Sequence, residues 1–192
     1  MNLTRKLVLA SQSPRRRKLL ALTGIAFETF PVEIDETFKE TLTPEENVME
    51  LSRRKAATVA GRLNGSAIVL SADTTVLLDH VPLGKPHDFD HAFTMLANLQ
   101  GRTHEVLTGF TLLCGGTCMT ECVRTLVEFE TMSGEEITVY LRTMEPYDKA
   151  GSYGIQDPLL SCFVRRIDGC YYNVVGLPLS RVYAGLKTFS TL

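Results

Sequence analysis

Tryptophan is absent from this 192-residue chain, and no charge of one sign dominates: 20 Lys+Arg face 22 Asp+Glu, a formal net charge of −2. That balance excludes the bulk basic field with which proteins hold nucleic-acid polymers, but leaves room for a small anion bound by a local cluster of cations. No apolar run approaches the ~20 residues of a membrane-spanning helix. The run from Leu7 to Ser11 is too short for a secretory signal core, so a cytoplasmic protein without membrane association is expected. The five cysteines are odd in number and form no C-x-x-C pair, and Cys114, Cys118 and Cys122 read as small packing residues rather than metal ligands. P-loop, Rossmann G-x-G-x-x-G, G-x-S-x-G and H-E-x-x-H patterns are all missing. His87 and His91 are four residues apart but lack an acidic or cysteine partner, and most of the four histidines are expected at the surface.

Hydrophobic residues make up 44% and charged residues 22%, an ordinary globular balance. Without repeats, low-complexity tracts or linkers, the chain reads as one α/β domain over residues 1–192. Strands are expected at 6–10, 27–34 (bent at Pro31), 67–78, 103–114 and 118–130, the last two joined at Gly115-Gly116. A further hairpin is expected from 162–167 and 170–175 around Asp168-Gly169. Helices are expected after Ser13-Pro14, with Leu19, Leu20 and Leu22 inward and a stop at Gly24. Others follow the capping boxes Thr43-Pro44-Glu45-Glu46 and Ser133-Gly134-Glu135-Glu136, Asp88, and Leu177-Pro178.

Charge is most informative where a core or a strand end is expected. Ser11-Gln12-Ser13-Pro14-Arg15-Arg16 joins a strand to a helix N-terminus. The helix dipole, two hydroxyls and the guanidinium groups there suit a phosphate. Arg15 to Lys18 as a plain solvated face is the weaker reading, because cations at a helix N-terminus oppose the dipole. Lys55 falls on the inward stripe Val48, Leu51, Ser52, Lys55, Val59 and Ala60, where it must either snorkel or meet an anion. Asp73 interrupts a strong β-run, where aspartate is depleted, so it lies either at a bend or facing a cleft, and the strength of the run favours a functional role over a turn-former. Asp148 to Gln156 reads, from spacing alone, as an ordinary loop. Cations with a few carboxylates, Glu36 and Asp73 among them, suit a metal-chelated polyphosphate.

Seven segments, in order, resemble the signatures of Maf-type nucleoside triphosphate pyrophosphatases. They are Leu9-Ala10-Ser11-Gln12-Ser13-Pro14-Arg15-Arg16, Ile34-Asp35-Glu36, Arg54-Lys55-Ala56, Ala72-Asp73-Thr74, Gly84-Lys85-Pro86, Asp148 to Gln156, and Val175-Gly176-Leu177-Pro178. The resemblance implies a mixed β-sheet with flanking helices, in two lobes around a central cleft, related to the inosine triphosphate pyrophosphatases. It implies cleavage of a nucleoside triphosphate to monophosphate and pyrophosphate, with Mg²⁺ or Mn²⁺, by a cytoplasmic homodimer.

By the same resemblance, Ser11, Ser13, Arg15 and Arg16 hold the triphosphate, and Lys55 and Lys85 neutralise the departing pyrophosphate. Glu36 and Asp73 hold the metal. Asp73 is the proton acceptor, with positioning of water or metal as its other open role. Arg15, Thr74 and Gln156 match the branch acting on dTTP and UTP. The branch acting on 7-methyl-GTP carries Trp, Gln and Glu there. Two departures from the family pattern stand out: Ser71 where glycine is usual, and Asp157-Pro158 after Gln156. The alternatives are a pyrophosphatase for a modified or purine nucleotide such as 7-methyl-GTP, or a non-catalytic nucleotide-binding regulator of cell division.

Overall fold

The computed structural model describes Met1 and residues 3–190. The first half of the chain forms β1 (Leu7–Ala10), α1 (Pro14–Ala21), β2 (Phe27–Phe30), α2 (Pro44–Arg62), β3 (Ile68–Leu78), β4 (Val81–Leu83) and α3 (Phe89–Leu99). The second half forms β5 (Thr103–Cys114), β6 (Thr117–Phe129), α4 (Gly134–Met144), β7 (Val164–Asp168), α5 (Tyr171–Val175) and α6 (Leu179–Phe189). Short 3₁₀ turns occupy Ala150–Ser152 and Leu160–Cys162. The fold is α/β with a mixed sheet of order β2-β1-β3-β5-β6-β7, β4 pairing with β3. β1 runs parallel to β2 and β3, while the β3–β4 and β6–β7 pairs are antiparallel. Among the described residues, no helix is long and apolar enough to cross a membrane.

Two compact units emerge, both discontinuous in sequence. One comprises Met1–Asp73, Thr108–Val123 and the segment from Gly176 onward; the other comprises Thr74–Leu107 and Arg124–Val175. The boundary cuts β3 between Asp73 and Thr74.

In the first unit, β1 is buried at all four positions, as expected of a strand paired on both edges. Val8, Ala10, Val69, Ala56 and Val59 form a core between the sheet and α2, with Phe30 and Ile34 packed against it. The capping box of α2 closes as expected: Glu46 N–H donates to Thr43 Oγ1 at 3.2 Å and Thr43 N–H to Glu46 Oε2 at 2.8 Å. Gly109 lets this helix approach β5 closely. A Cβ at 109 would lie 2.5 Å from the Val48 carbonyl carbon and oxygen and 2.6 Å from Met49 N.

In the second unit, the expected apolar face of α3 (Ala92, Met95, Leu96, Leu99) is buried. α3 packs on α4 and on the Ala150–Ser152 turn.

Four sequence expectations are corrected. β2 ends at Phe30 rather than 34, because Pro31 has no N–H for the ladder. Leu22 is 66% exposed: α1 ends at Ala21, and Leu22 projects about 110° away from the direction shared by Leu19 and Leu20. The region 148–156 is no ordinary loop, since Gly151, Ser152 and Tyr153 are buried. Gly151, at φ 68°, packs so tightly on Val76 that a Cβ would meet its side chain at 3.1 Å. The expected strand at 170–175 is the helical turn α5. β7 already covers the β6 edge, and Gly169 at φ 129° turns the chain off the sheet. Thr125 Oγ1 then donates to Cys170 O and accepts from Cys170 N–H and from the buried Asn173 amide.

Most of the four histidines lie at the surface as expected, and His104 is the buried exception. Its Nε2 pairs with the Tyr153 hydroxyl at 2.7 Å, and its ring packs edge-on against Phe129. Burial holds its pKa down to about 3.

Gly109→Ala is expected to cost about 2 kcal/mol by overpacking and to lower the thermal midpoint on the order of 5 °C. A calorimetric scan showing an unshifted midpoint would contradict that close approach. The His104 imidazole stays neutral in the fold but takes up a proton near pH 6.5 once unfolded, so the unfolded state binds more protons between about pH 6.5 and 3. Stability should therefore fall as pH drops through that window. His104→Gln should flatten the slope by up to about 1.4 kcal/mol per pH unit, measured by urea unfolding at successive pH values.

Candidate active site

The first unit brings together Glu36, Lys55 and Asp73. α2 and β3 supply the last two in matched register. Residues 71 and 73, two apart on a strand, face the same way, and 52 and 55 lie one turn apart on a helix. The Ser71 hydroxyl donates to the Ser52 carbonyl at 2.5 Å, and one step along Lys55 Nζ meets Asp73 Oδ1 at 2.6 Å. The Ser52 hydroxyl also pairs with Thr111 Oγ1 at 2.8 Å. Ser71 is thus explained: its hydroxyl fastens α2 to β3 beside the charged pair.

Lys55 does not snorkel. Its ammonium meets Glu36 Oε1 and Asp73 Oδ1, each at 2.6 Å, with side-chain exposures of 7% for Lys55, 12% for Asp73 and 45% for Glu36. The anion it finds is the chain's own pair of carboxylates.

The segment after β1 is organised as the N-terminus of α1. Ser13 N–H donates to Ser11 Oγ at 3.1 Å, and Arg16 N–H donates to the Ser13 cap at 3.4 Å. No acidic residue occupies the first turn, which carries Arg15 and Arg16. The half-buried Arg16 anchors its Nε on Gly176 O at 2.9 Å. Burial lowers its pKa, and Asp73 and Glu36 act in the opposite direction, so it feels the same two carboxylates as Lys55. A cavity of about 260 Å³ opens beside this segment, lined by Ser11, Gln12, Ser13, Pro14, Arg17, Thr29 and Pro31. Of the expected phosphate-binding residues, Ser11 and Ser13 line this cavity and Arg15 and Arg16 do not; Arg17, read only as part of a solvated basic face, lines it, and Thr29 of β2 was missed because strand neighbours are invisible to local spacing.

Thr74, Lys85 and Gln156 belong to the second unit. Thr74 is half-buried, whereas Lys85 and Gln156 are exposed. Gly84 beside Lys85 accepts the Gly151 N–H at 3.1 Å, tying the Lys85 loop to the segment leading to Gln156. Ser71 and Ser52 were detectable in principle, lying two residues before Asp73 and three before Lys55. Thr111 had no such signal.

Among the described residues, no group of three or more His, Cys, Asp or Glu side chains could hold a metal. The two carboxylates expected to hold a divalent ion, Glu36 and Asp73, do lie together, around the Lys55 ammonium. That fits a Mg²⁺-type ion, which takes one or two carboxylates and completes its shell with phosphate oxygens and water.

A family model described as Maf-like protein matches residues 6–189. This chain belongs to the Maf family. Among its Maf relatives, a dTTP/UTP pyrophosphatase of Chlorobaculum tepidum is 65% identical over 95% of this chain and 94% of its own. A dTTP/UTP pyrophosphatase of Bacillus velezensis is 43% identical over 98% of both chains. The crystal structure of a nucleoside-triphosphatase / dITP/XTP pyrophosphatase from Mycobacterium abscessus covers 95% of this Maf chain and 94% of its own, at TM-score 0.44 and 11% identity, too remote to bear on residue roles.

Lys55→Met leaves Asp73 buried without its ammonium and is expected to cost about 3 kcal/mol. Adding Asp73→Asn should recover part of that loss. Additive effects of the two substitutions in denaturant unfolding would show that the pair is not coupled.

Proposed function

We propose that this Maf chain, read as one domain over 1–192, hydrolyses nucleoside triphosphates, dTTP and UTP above others, to the monophosphate and pyrophosphate. The observation that carries the reading is Lys55 held between Glu36 and Asp73, with Arg16 in the field of both carboxylates. Cations for a polyphosphate and carboxylates for a metal and a water thereby lie in one polar set. Near-full-length similarity to relatives named dTTP/UTP pyrophosphatase supports the substrate.

Ser11, Ser13, Arg15 and Arg16 bind the triphosphate. Water attacks the α-phosphorus, the bond from that phosphorus to its bridging oxygen breaks, and pyrophosphate leaves. Lys55 engages Oδ1 of Asp73, so Oδ2 takes the proton of the attacking water. Lys55 and Lys85 offset the charge that gathers on the leaving oxygens. Glu36 and Asp73 would hold the divalent ion, Mg²⁺ or Mn²⁺, which when bound supplies Lewis-acid stabilisation of phosphate oxygens. Cytoplasmic location, homodimer assembly and a small-molecule partner rather than a nucleic-acid polymer belong to the same reading and rest on the family resemblance.

Thr74 and Gln156 are assigned to the nucleoside. Uracil and thymine present an N–H donor flanked by two carbonyl acceptors, which one amide orientation of Gln156 matches by donating and accepting. Cytosine presents the reverse at two of those positions. A mismatched buried polar group costs about 1–3 kcal/mol, so dTTP and UTP should be used at least about tenfold better than CTP.

The test is kcat/KM for dTTP, UTP, CTP and GTP with pyrophosphate detection. Excess chelator should abolish turnover and added Mg²⁺ or Mn²⁺ restore it, and Gln156→Glu should weaken dTTP use by placing a carboxylate against a carbonyl. Equal rates with all four nucleotides would overturn the substrate assignment, and undiminished turnover in chelator would overturn the metal.

A further inference from the structure

A second polar set, confined to one compact unit, lies behind Gln156. Tyr140 of α4 is buried on the face it shares with Ile137 and Leu141, and its hydroxyl needs partners there. It accepts the Gly154 N–H at 3.1 Å and donates to Asp157 Oδ2 at 2.7 Å. The Asp157 N–H returns to Gly154 O at 2.9 Å, closing a turn around residues 154–157. The carboxylate sits so close to Gly154 that a Cβ there would lie 2.8 Å from both of its oxygens. Lys149 Nζ, on a mostly buried side chain, lies 3.9 Å from Oδ2 and offsets its charge. Ile155 is buried while Gln156 is exposed, so the turn is held on both sides of the one residue that faces solvent.

This network bears on selectivity. A glutamine amide turned through 180° exchanges donor and acceptor and then matches cytosine instead of uracil. Selectivity therefore requires the amide to stand at one fixed place and angle against the base edge, and the backbone of the turn sets that place. An unfastened 154–157 turn would lose that restriction. Burial, reinforced by Asp157, pushes the Tyr140 hydroxyl pKa up, so it remains a neutral donor.

Resting on the pyrophosphatase reading, we propose that Tyr140 and Asp157 are positioning residues that set nucleobase selectivity by fixing the backbone of the turn carrying Gln156.

The experiment measures kcat and KM for dTTP and CTP in the wild type, Tyr140→Phe, Asp157→Ala and Asp157→Asn, with a thermal unfolding scan of each. Both substrates sample the same folded molecules, so their ratio is insensitive to the folded fraction. Tyr140→Phe and Asp157→Ala should each lower the dTTP:CTP ratio of kcat/KM by about fivefold or more, mainly through a higher KM for dTTP, with kcat at saturating dTTP within about twofold. Asp157→Asn keeps an acceptor for the Tyr140 hydroxyl and should hold the ratio closer to wild type. An unchanged ratio in both Tyr140→Phe and Asp157→Ala overturns the proposal and leaves the hydroxyl a purely structural group. A wild type that does not cleave dTTP overturns the underlying pyrophosphatase reading, a separate and earlier failure.

Discussion

The ammonium of Lys55, buried on α2 and gripped at 2.6 Å by both Asp73 and Glu36, is the interaction on which the first unit depends. A buried cation is costly unless paired, and breaking such a pair strands the partner. Keeping it satisfied requires α2 and β3 to sit in one register. Three otherwise unremarkable residues enforce that register: Gly109 admits the α2 backbone against β5, Ser71 bonds Ser52 O, and Thr111 bonds the Ser52 hydroxyl. Packing of small apolar residues, Ala56 and Val59 against Val8 and Val69, brings the layers close enough for these short bonds.

The same arrangement explains how one lysine can serve structure and chemistry. Lys55 orients Oδ1 of Asp73 within the fold itself, so in the proposed reaction the carboxylate would need little reorganisation. Arg16 extends the polar set toward the N-terminus of α1, whose first turn carries Arg15 and Arg16 and no acidic residue. In the second unit, Tyr140 is the counterpart of Ser71: a buried hydroxyl whose value lies in what it fastens, here the Gly154–Asp157 turn.

Misreadings from sequence have physical origins. Tyr171 to Val175 carries residues fit for a strand, yet the β6 edge was already taken by β7 and Thr125 captured the chain at Cys170. Nothing in the sequence separated His104 from the three histidines that are not buried, and only the approach of Phe129 and Tyr153 made it a buried neutral ring. Leu22 fitted the apolar count of α1 but lay off the side defined by Leu19 and Leu20. For the 171–175 segment and His104 a partner distant in sequence decided the outcome, whereas Leu22 was decided by where α1 ends.

What the sequence by itself determined was local and periodic. Proline at the first helical position and capping boxes marked the starts of α2 and α4, apolar spacing defined the buried face of α3, and Gly115-Gly116 marked the β5–β6 turn, because these signals act within a few residues. Motif order pointed to the family, and the inward stripe exposed Lys55 as a charge needing a partner. Only the tertiary structure decided that the partner is Asp73 with Glu36 rather than solvent, that Ser71 clamps α2, and that Tyr140 reaches across to Asp157. Those choices rest on hydrogen bonds a few ångströms long between residues 17 to 19 positions apart, which exist only once sheet register and helix packing have brought them within reach.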